Sequence, residues 1–435
     1  MKKFILLIML TASLLSLSLL TSCKEKEEKK YDVVTINVYN WGEYISNGSL
    51  DSLDTNAAFV EYFNKNLADK YGCYIAVNYT TYATNEDMYS KLMSGAGNYD
   101  VIVPSDYMIE KLISENFLYK FDPNELSNYK YISDDFKGLD YDKNNEYSVP
   151  YTYGMLGIIY NTAFVDEEDY ADKSWSLLWN DKYSGKILQF NNPRDAFATA
   201  MYYNGLDINS KDPAVWDMAL AELVKQKPIL QGYVNDEIFN KMTTASAVIA
   251  PYYAGDYITM LEQNEDLAFY YPTEGTNYFV DAMCIPNNSK HKELALEYIN
   301  FMMSEEAAIA NALYIGYASP NMLVYENEAY AEEMGEYAME ILYGTPHTVV
   351  NKEYNEKFGS AIYRMFDQST QAHVNTLWES LKTENSTEIW VHLTSGLIVA
   401  LVIGLAIYSI YIKKKRSRDY RMRDRNAALL KKSKQ

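Results

Sequence analysis

The chain is poor in the residues that most enzyme chemistry requires. It has only four histidines, His291, His347, His373 and His392. None falls at a zinc-binding spacing, and no Gly-x-Ser-x-Gly elbow or phosphate-binding glycine loop occurs. Covalent catalysis usually needs a base beside its nucleophile, so an exported enzyme is disfavoured. No metal or organic cofactor is implied. Cysteine is scarce: Cys23, Cys73 and Cys284. Three cysteines cannot staple a chain of this size. Cys73 and Cys284 are left either as a pair or as two buried thiols. Nothing in their spacing forces contact, and free thiols are the expectation. Positive charge is also in deficit. With 39 Lys and Arg against 59 Asp and Glu, the net charge is −20, which disfavours nucleic acid as a partner. No internal repeat and no low-complexity tract is present.

What the sequence does have begins at its two ends. Lys2 and Lys3 precede an apolar run from Phe4 to Leu20, the pattern of an export signal over residues 1–22. It ends in Leu20-Thr21-Ser22-Cys23, which resembles the bacterial lipobox, whose cysteine becomes the lipidated first residue. An uncleaved anchor with an incidental cysteine is the alternative. Residues 23–32 contain the charged run Lys24 to Lys30, too poor in apolar residues to fold, and read as a tether. Near the other end, residues 389–412 contain no Asp, Glu, Lys or Arg. About 20 apolar residues suffice to cross a bilayer. Lys413-Lys414-Lys415-Arg416 follows at once, so the positive-inside rule puts residues 413–435 in the cytoplasm and the region between the two apolar runs outside. The tail is +9 and residues 23–412 are −31. Such an exterior favours cationic solutes, although generic solubility is served by the same charge. The tail also suits anionic lipid head groups.

The 435 residues exceed what one core usually serves, so two lobes are expected. From Val33 the pattern alternates strand and helix. Val34 to Tyr39 reads as a strand; Phe59, Val60, Phe63 and Leu67 recur at helical spacing and stop at Gly72. Cys73 to Tyr82 and Tyr99 to Val103 read as strands, Glu86 to Met93 and Tyr107 to Ser114 as helices. A polar stretch from Phe121 to Asn145 interrupts this rhythm. The segment Tyr147 to Tyr160 is a plausible crossing into a second lobe. Pro213 to Lys225 reads as a helix, Met283 to Pro286 as a strand, Lys292 to Met303 as a helix and residues 381–388 as a linker. The whole predicts an α/β architecture with mainly parallel sheet and helices on both faces. A cleft between two such lobes suits closure on a small solute. The 42 tyrosines offer flat rings with one polar handle, fit for a wet binding surface. An AT-rich codon bias also yields many tyrosines.

Six segments carry a family likeness. They are Tyr39-Asn40-Trp41-Gly42-Glu43-Tyr44; Asp100 to Tyr107 with its Pro104-Ser105-Asp106-Tyr107 end; Tyr147 to Tyr151 with Gly154; Asn191-Asn192-Pro193-Arg194-Asp195; Asp281 before Ile285-Pro286; and Ile315-Gly316-Tyr317 with Pro320-Asn321. In this order, over residues 33–365, they resemble the spermidine/putrescine-binding proteins of bacterial ABC importers. The resemblance implies a two-lobe periplasmic-binding-protein fold of type II, with an inter-lobe ligand cleft and more than one crossover. The C-terminal transmembrane helix lies outside it. Lobe 1 becomes 33–150 and 278–325, and lobe 2 becomes 151–277 and 326–380. Carried over residue by residue, the ligand site comprises Trp41, Gly42, Glu43 and Tyr44; Ser105 and Tyr107; Asn192 and Asp195; Tyr253, Phe279, Asp281 and Tyr317; and Asn355. Arg194 is expected to orient Asp195. Asn192 replaces an acid of the family pattern, Tyr253 and Phe279 replace tryptophans, and Gly42 replaces a hydroxyl residue. One fewer acid leans towards putrescine or an altered specificity. The implied partners are permease subunits and a cytoplasmic ATPase, with the binder itself a monomer.

The chemistry is coherent on its own terms. A polyamine is a methylene chain carrying ammonium groups. Each ammonium needs carboxylates when it leaves water. The methylenes need flat apolar walls, and aromatic faces add cation–π attraction of about 0.5–2 kcal/mol. Rival readings are a binder of another solute on the same fold (ferric iron, thiamine, an organic anion or another small cation) and a membrane-tethered receptor. Acidic residues at the matched positions argue against an anion.

Overall fold

The structure is a computed structural model describing residues 31–344, 361–383, 401–405, 408–409 and 411–415. The export signal, Cys23, Asn355 and most of the 389–412 segment lie outside the described residues. Among the described residues no helix is long and apolar enough to cross a membrane.

Among the described residues nine strands form one continuous sheet in the order β2-β1-β3-β9-β4-β7-β5-β6, with β8 also paired to β4. In lobe 1, β1 (Val33–Trp41) lies parallel to β2 (Tyr74–Tyr82) and β3 (Val101–Ile102). In lobe 2, β5 (Ile187–Phe190) lies parallel to β6 (Leu230–Val234) and β7 (Ile249–Tyr253). Between them run two antiparallel strands, β4 (Ser148–Asn161) and β9 (Tyr278–Cys284). The first half of β4 pairs β9, and its second half pairs β7 and β8 (Leu267–Tyr270). The sheet is therefore mixed, where the sequence predicted mainly parallel pairing. β4 and β9 are apolar enough for burial on both faces, and such strands do not reveal their direction.

Helices follow the strands for ordinary reasons. In α1 (Thr55–Asn66), Asp54 caps the first turn by accepting from the Ala57 amide, while Phe59 and Phe63, one turn apart, are fully buried. The polar stretch 121–145 is not a gap in the fold. It forms short 3₁₀ turns that bury Phe121, Leu126, Tyr129 and Phe136. Asp142, itself buried, accepts from the Glu146, Tyr147 and Ser148 amides, which satisfies the entry to β4. The helix Gln368–Thr383 buries Val374 and Leu381. It takes up residues 381–383 of the expected linker, because the apolar spacing continues to Leu381. Cys73 and Cys284 are both buried and free.

Parallel strands deliver their loops to one side of a sheet. Trp41, Tyr82, Phe190 and Tyr253 all end strands, and Ser105 and Asn235 follow strands closely. The two sets of loops face each other across the β4–β9 connection.

Candidate functional site

Between these loops lies a cavity of about 990 Å³, its open mouth included. Seven carboxylates and one guanidinium line it. Of the thirteen residues expected in a ligand site, twelve line this one cavity: Trp41, Gly42, Glu43, Tyr44, Ser105, Tyr107, Asn192, Asp195, Tyr253, Phe279, Asp281 and Tyr317. Asn355 lies outside the described residues.

Each wall is fixed by polar contacts at its edges. The Trp41 indole donates to the Val103 carbonyl at 2.9 Å, and the Tyr82 hydroxyl donates to the same carbonyl at 2.7 Å. The two rings sit 4.7 Å apart. A second row runs Tyr44, Tyr317, Phe279, Tyr253, with centroid spacings of 5.2, 6.0 and 5.5 Å. Gly255 permits this row: a Cβ there would lie 2.2 Å from the Tyr317 ring. The row's rings are tilted or edge-to-face, the favourable arrangement for aromatic pairs.

Three carboxylates are gripped by hydroxyls of that row. Tyr44 donates to Asp281 Oδ2 at 2.7 Å and also contacts the Thr152 hydroxyl at 2.6 Å. Tyr253 donates to Asp195 Oδ2 at 2.5 Å. Tyr317 donates to Asp256 Oδ2 at 2.9 Å. Asp281 is 4% exposed, and its Oδ1 has no hydrogen-bond partner. Burial pushes its carboxyl up to about 6, with the Asp195 charge adding and the neighbouring Ser105 and Tyr44 hydroxyls opposing. Burial likewise raises Asp195. Asp256 keeps partial exposure to the cavity, and the removal of bulk water pushes it up to about 8. The acids thus sit in surroundings that penalise their charge unless a cation arrives.

Asp195 is built by local sequence. Asn192 caps the helix Pro193–Tyr203, with proline at its first position; the Asn192 side chain accepts from the Asp195 amide and donates to Asp195 Oδ2. Both polar atoms of Asn192 are therefore spent on Asp195. Tyr363 donates to the other carboxylate oxygen at 2.9 Å. The expected role of Arg194 is corrected. It forms no hydrogen bond to Asp195 and acts on it only through its field. Its guanidinium donates to the Arg364 carbonyl at 2.6 Å and packs against Tyr107, Tyr363 and Phe366. Asp195 is oriented by Asn192, Tyr253 and Tyr363 instead.

Sequence reasoning missed Glu86, Asp106, Asp236, Asp256 and Tyr363, all in the lining. Glu86 accepts from the Tyr107 hydroxyl at 3.1 Å. Asp106 is 1% exposed and accepts from the Val280 amide, tying the segment after β3 to β9. Asp256 had a usable signal: it lies three residues beyond the end of a strand whose last ring was already assigned to the cleft. Asp106 stands inside the Pro104-Ser105-Asp106-Tyr107 segment, between two residues assigned to the site; Glu86, Asp236 and Tyr363 belong to no motif.

Among the described residues no cluster of side chains offers a metal site. Residues 27–335 match the family model described as bacterial extracellular solute-binding protein. The chain is 30% identical over 341 residues to the spermidine/putrescine-binding periplasmic protein of Escherichia coli, covering 78% of this chain and 92% of that protein. It is 30% identical over 383 residues to spermidine/putrescine-binding periplasmic protein 1 of Haemophilus influenzae, covering 86% and 99%. Among solved structures, a putative spermidine/putrescine ABC transporter protein from Listeria monocytogenes superposes with a TM-score of 0.68 at 30% identity, covering 81% of this chain and 99% of that one. By the span of the family match and by these relatives, the chain belongs to the bacterial extracellular solute-binding proteins, a family of binders and not of enzymes.

Proposed function

We propose that this protein captures a polyamine outside the cytoplasmic membrane and hands it to an ABC permease driven by a cytoplasmic ATPase. One observation carries the reading: three cavity carboxylates, Asp195, Asp256 and Asp281, are each held by a tyrosine hydroxyl of the aromatic wall. Each hydroxyl donates to a single carboxylate oxygen, and among the described residues the buried Asp281 Oδ1 has no hydrogen-bond partner, an unmet acceptor that an ammonium would satisfy. The rings that supply these hydroxyls offer flat faces to the methylenes between the ammonium groups. The names of the relatives point to the same ligand class.

The ligand residues proposed are Trp41, Gly42, Glu43, Tyr44, Ser105, Tyr107, Asn192, Asp195, Tyr253, Phe279, Asp281, Tyr317 and Asn355, joined by Asp256. Asn192 contributes by fixing Asp195. The lobes are proposed as 33–150 with 278–325 and 151–277 with 326–380. Binding energy would close them and present the closed form to the permease. Anchoring is proposed to be double, by a lipid on Cys23 and by the 389–412 segment, with 413–435 in the cytoplasm. Titration calorimetry of the full-length chain in detergent with putrescine, spermidine and cadaverine tests the reading. Micromolar or tighter binding of at least one is expected; no heat with any of them refutes it.

A further inference from the structure

The cavity is electrically lopsided. At the Asp195 end sits Arg194, 4% exposed, with Nε and Nη1 unpartnered. Its charge is felt by Glu86 and Asp195. That buried cation closes this end to a further ammonium. Among the described residues the lining holds no other cation. Elsewhere in the cavity the lobe 1 turn Gly42-Glu43 meets Asp236, which follows β6 of lobe 2; both carboxylates are solvent-exposed. A Cβ on Gly42 would lie 3.0 Å from Asp236 Oδ2. A larger residue at 42 would press on that carboxylate and shift it by a few tenths of an ångström. Glu43 stands next to it, held at φ 48°, a backbone conformation uncommon outside glycine. Loss of water first, and the Glu43 charge after it, push the Asp236 carboxyl up. On the far side of Glu43, Tyr44 holds Asp281, whose buried Oδ1 is unpartnered in the same cavity.

We propose that Asp236 is a specificity-determining ligand residue: with Glu43 it forms a distal ammonium subsite, assembled from both lobes on closure and made possible by Gly42. Its ligand is the additional ammonium of a triamine. The inference rests on the polyamine reading and goes beyond it. Two carboxylates brought together from opposite lobes resist closure, and a cation between them removes the resistance. A diamine spanning Asp195 and Asp281 leaves this mouth unfilled, whereas a triamine fills it. Asp236 thereby supplies, from elsewhere in the slot, the acid that Asn192 lacks. The lean towards putrescine drawn from Asn192 alone is reversed, and the chain favours spermidine.

The test measures spermidine and putrescine affinities of the full-length protein, D236N, G42S and the double variant, with thermal melts as a check on folding. Replacing Asp236 by Asn should lower the spermidine-to-putrescine affinity ratio by roughly tenfold, the scale of one charge-assisted contact. G42S should lower the ratio by shifting Asp236, and should add little in the D236N background. A ratio unchanged in folded D236N overturns the assignment while leaving polyamine binding intact. So does a G42S effect of equal size in both backgrounds. Wild-type protein that binds neither amine overturns the polyamine reading, and this inference with it.

Discussion

Replacing Asp281 by Asn should make the ligand-free protein more stable and its ligand binding weaker. Asp281 is 4% exposed, and its carboxyl is pushed from 3.8 up to about 6. Ionised at pH 7.5, it costs the ligand-free fold about 3 kcal/mol. Asparagine keeps the shape and still accepts from Tyr44 but carries no charge. The variant should therefore be about 1–3 kcal/mol more stable at pH 7.5, after allowance for solvent relaxation around the site. The sign follows from proton binding: between pH 4 and 6 the folded state holds a proton that the unfolded state has lost. The wild type thus gains stability as pH falls through 6, and the gap to D281N closes towards pH 4. Binding moves the other way. Losing one charge-assisted hydrogen bond costs about 1.5–3 kcal/mol, roughly 10- to 150-fold in Kd. Denaturation of both proteins at pH 7.5 and 4.5, paired with polyamine titrations at pH 7.5, reads both effects. A variant that is less stable at pH 7.5, or that binds as tightly as the wild type, refutes the reasoning.

Three further outcomes follow from the same geometry. Affinity should fall as pH drops below about 6, because Asp281 must then release a proton to pair with an ammonium. Near pH 7 binding should also release protons from Asp256, read as a buffer-dependent enthalpy in calorimetry; identical enthalpies in buffers of different ionisation heat would exclude that. Tyr253→Phe removes one of the side-chain contacts to Asp195 and should weaken binding about fivefold to tenfold while the thermal midpoint stays near the wild type; unchanged affinity would show that Asn192 and Tyr363 suffice.

Much of the cavity is legible in the sequence because the family-like segments that carry its residues fall at strand ends. Trp41, Ser105, Asp195, Tyr253 and Asp281 each adjoin an apolar strand or a capped helix start, and those patterns are local. What stayed hidden is tertiary. Asp236 and Glu86 are ordinary acids in polar segments, and only the tertiary fold brings them to the cavity. Arg194 reads from sequence as the partner of its neighbour, yet successive residues on a helix point in different directions. Its side chain meets Tyr107, Tyr363 and Phe366 instead. Strand direction in β4 and β9 was equally unreadable, since a buried strand has the same composition either way. The linker assignment failed at 381–383 because its polar residues sit on the outer face of a helix that Leu381 still anchors.

The most direct measurement is a crystal structure of the protein with a bound diamine. Its two ammonium groups should lie within hydrogen-bond distance of Asp195 and Asp281, with the methylenes against Trp41, Tyr253 and Phe279. An amine lodged elsewhere, or one that leaves those two carboxylates unpaired, would contradict the account.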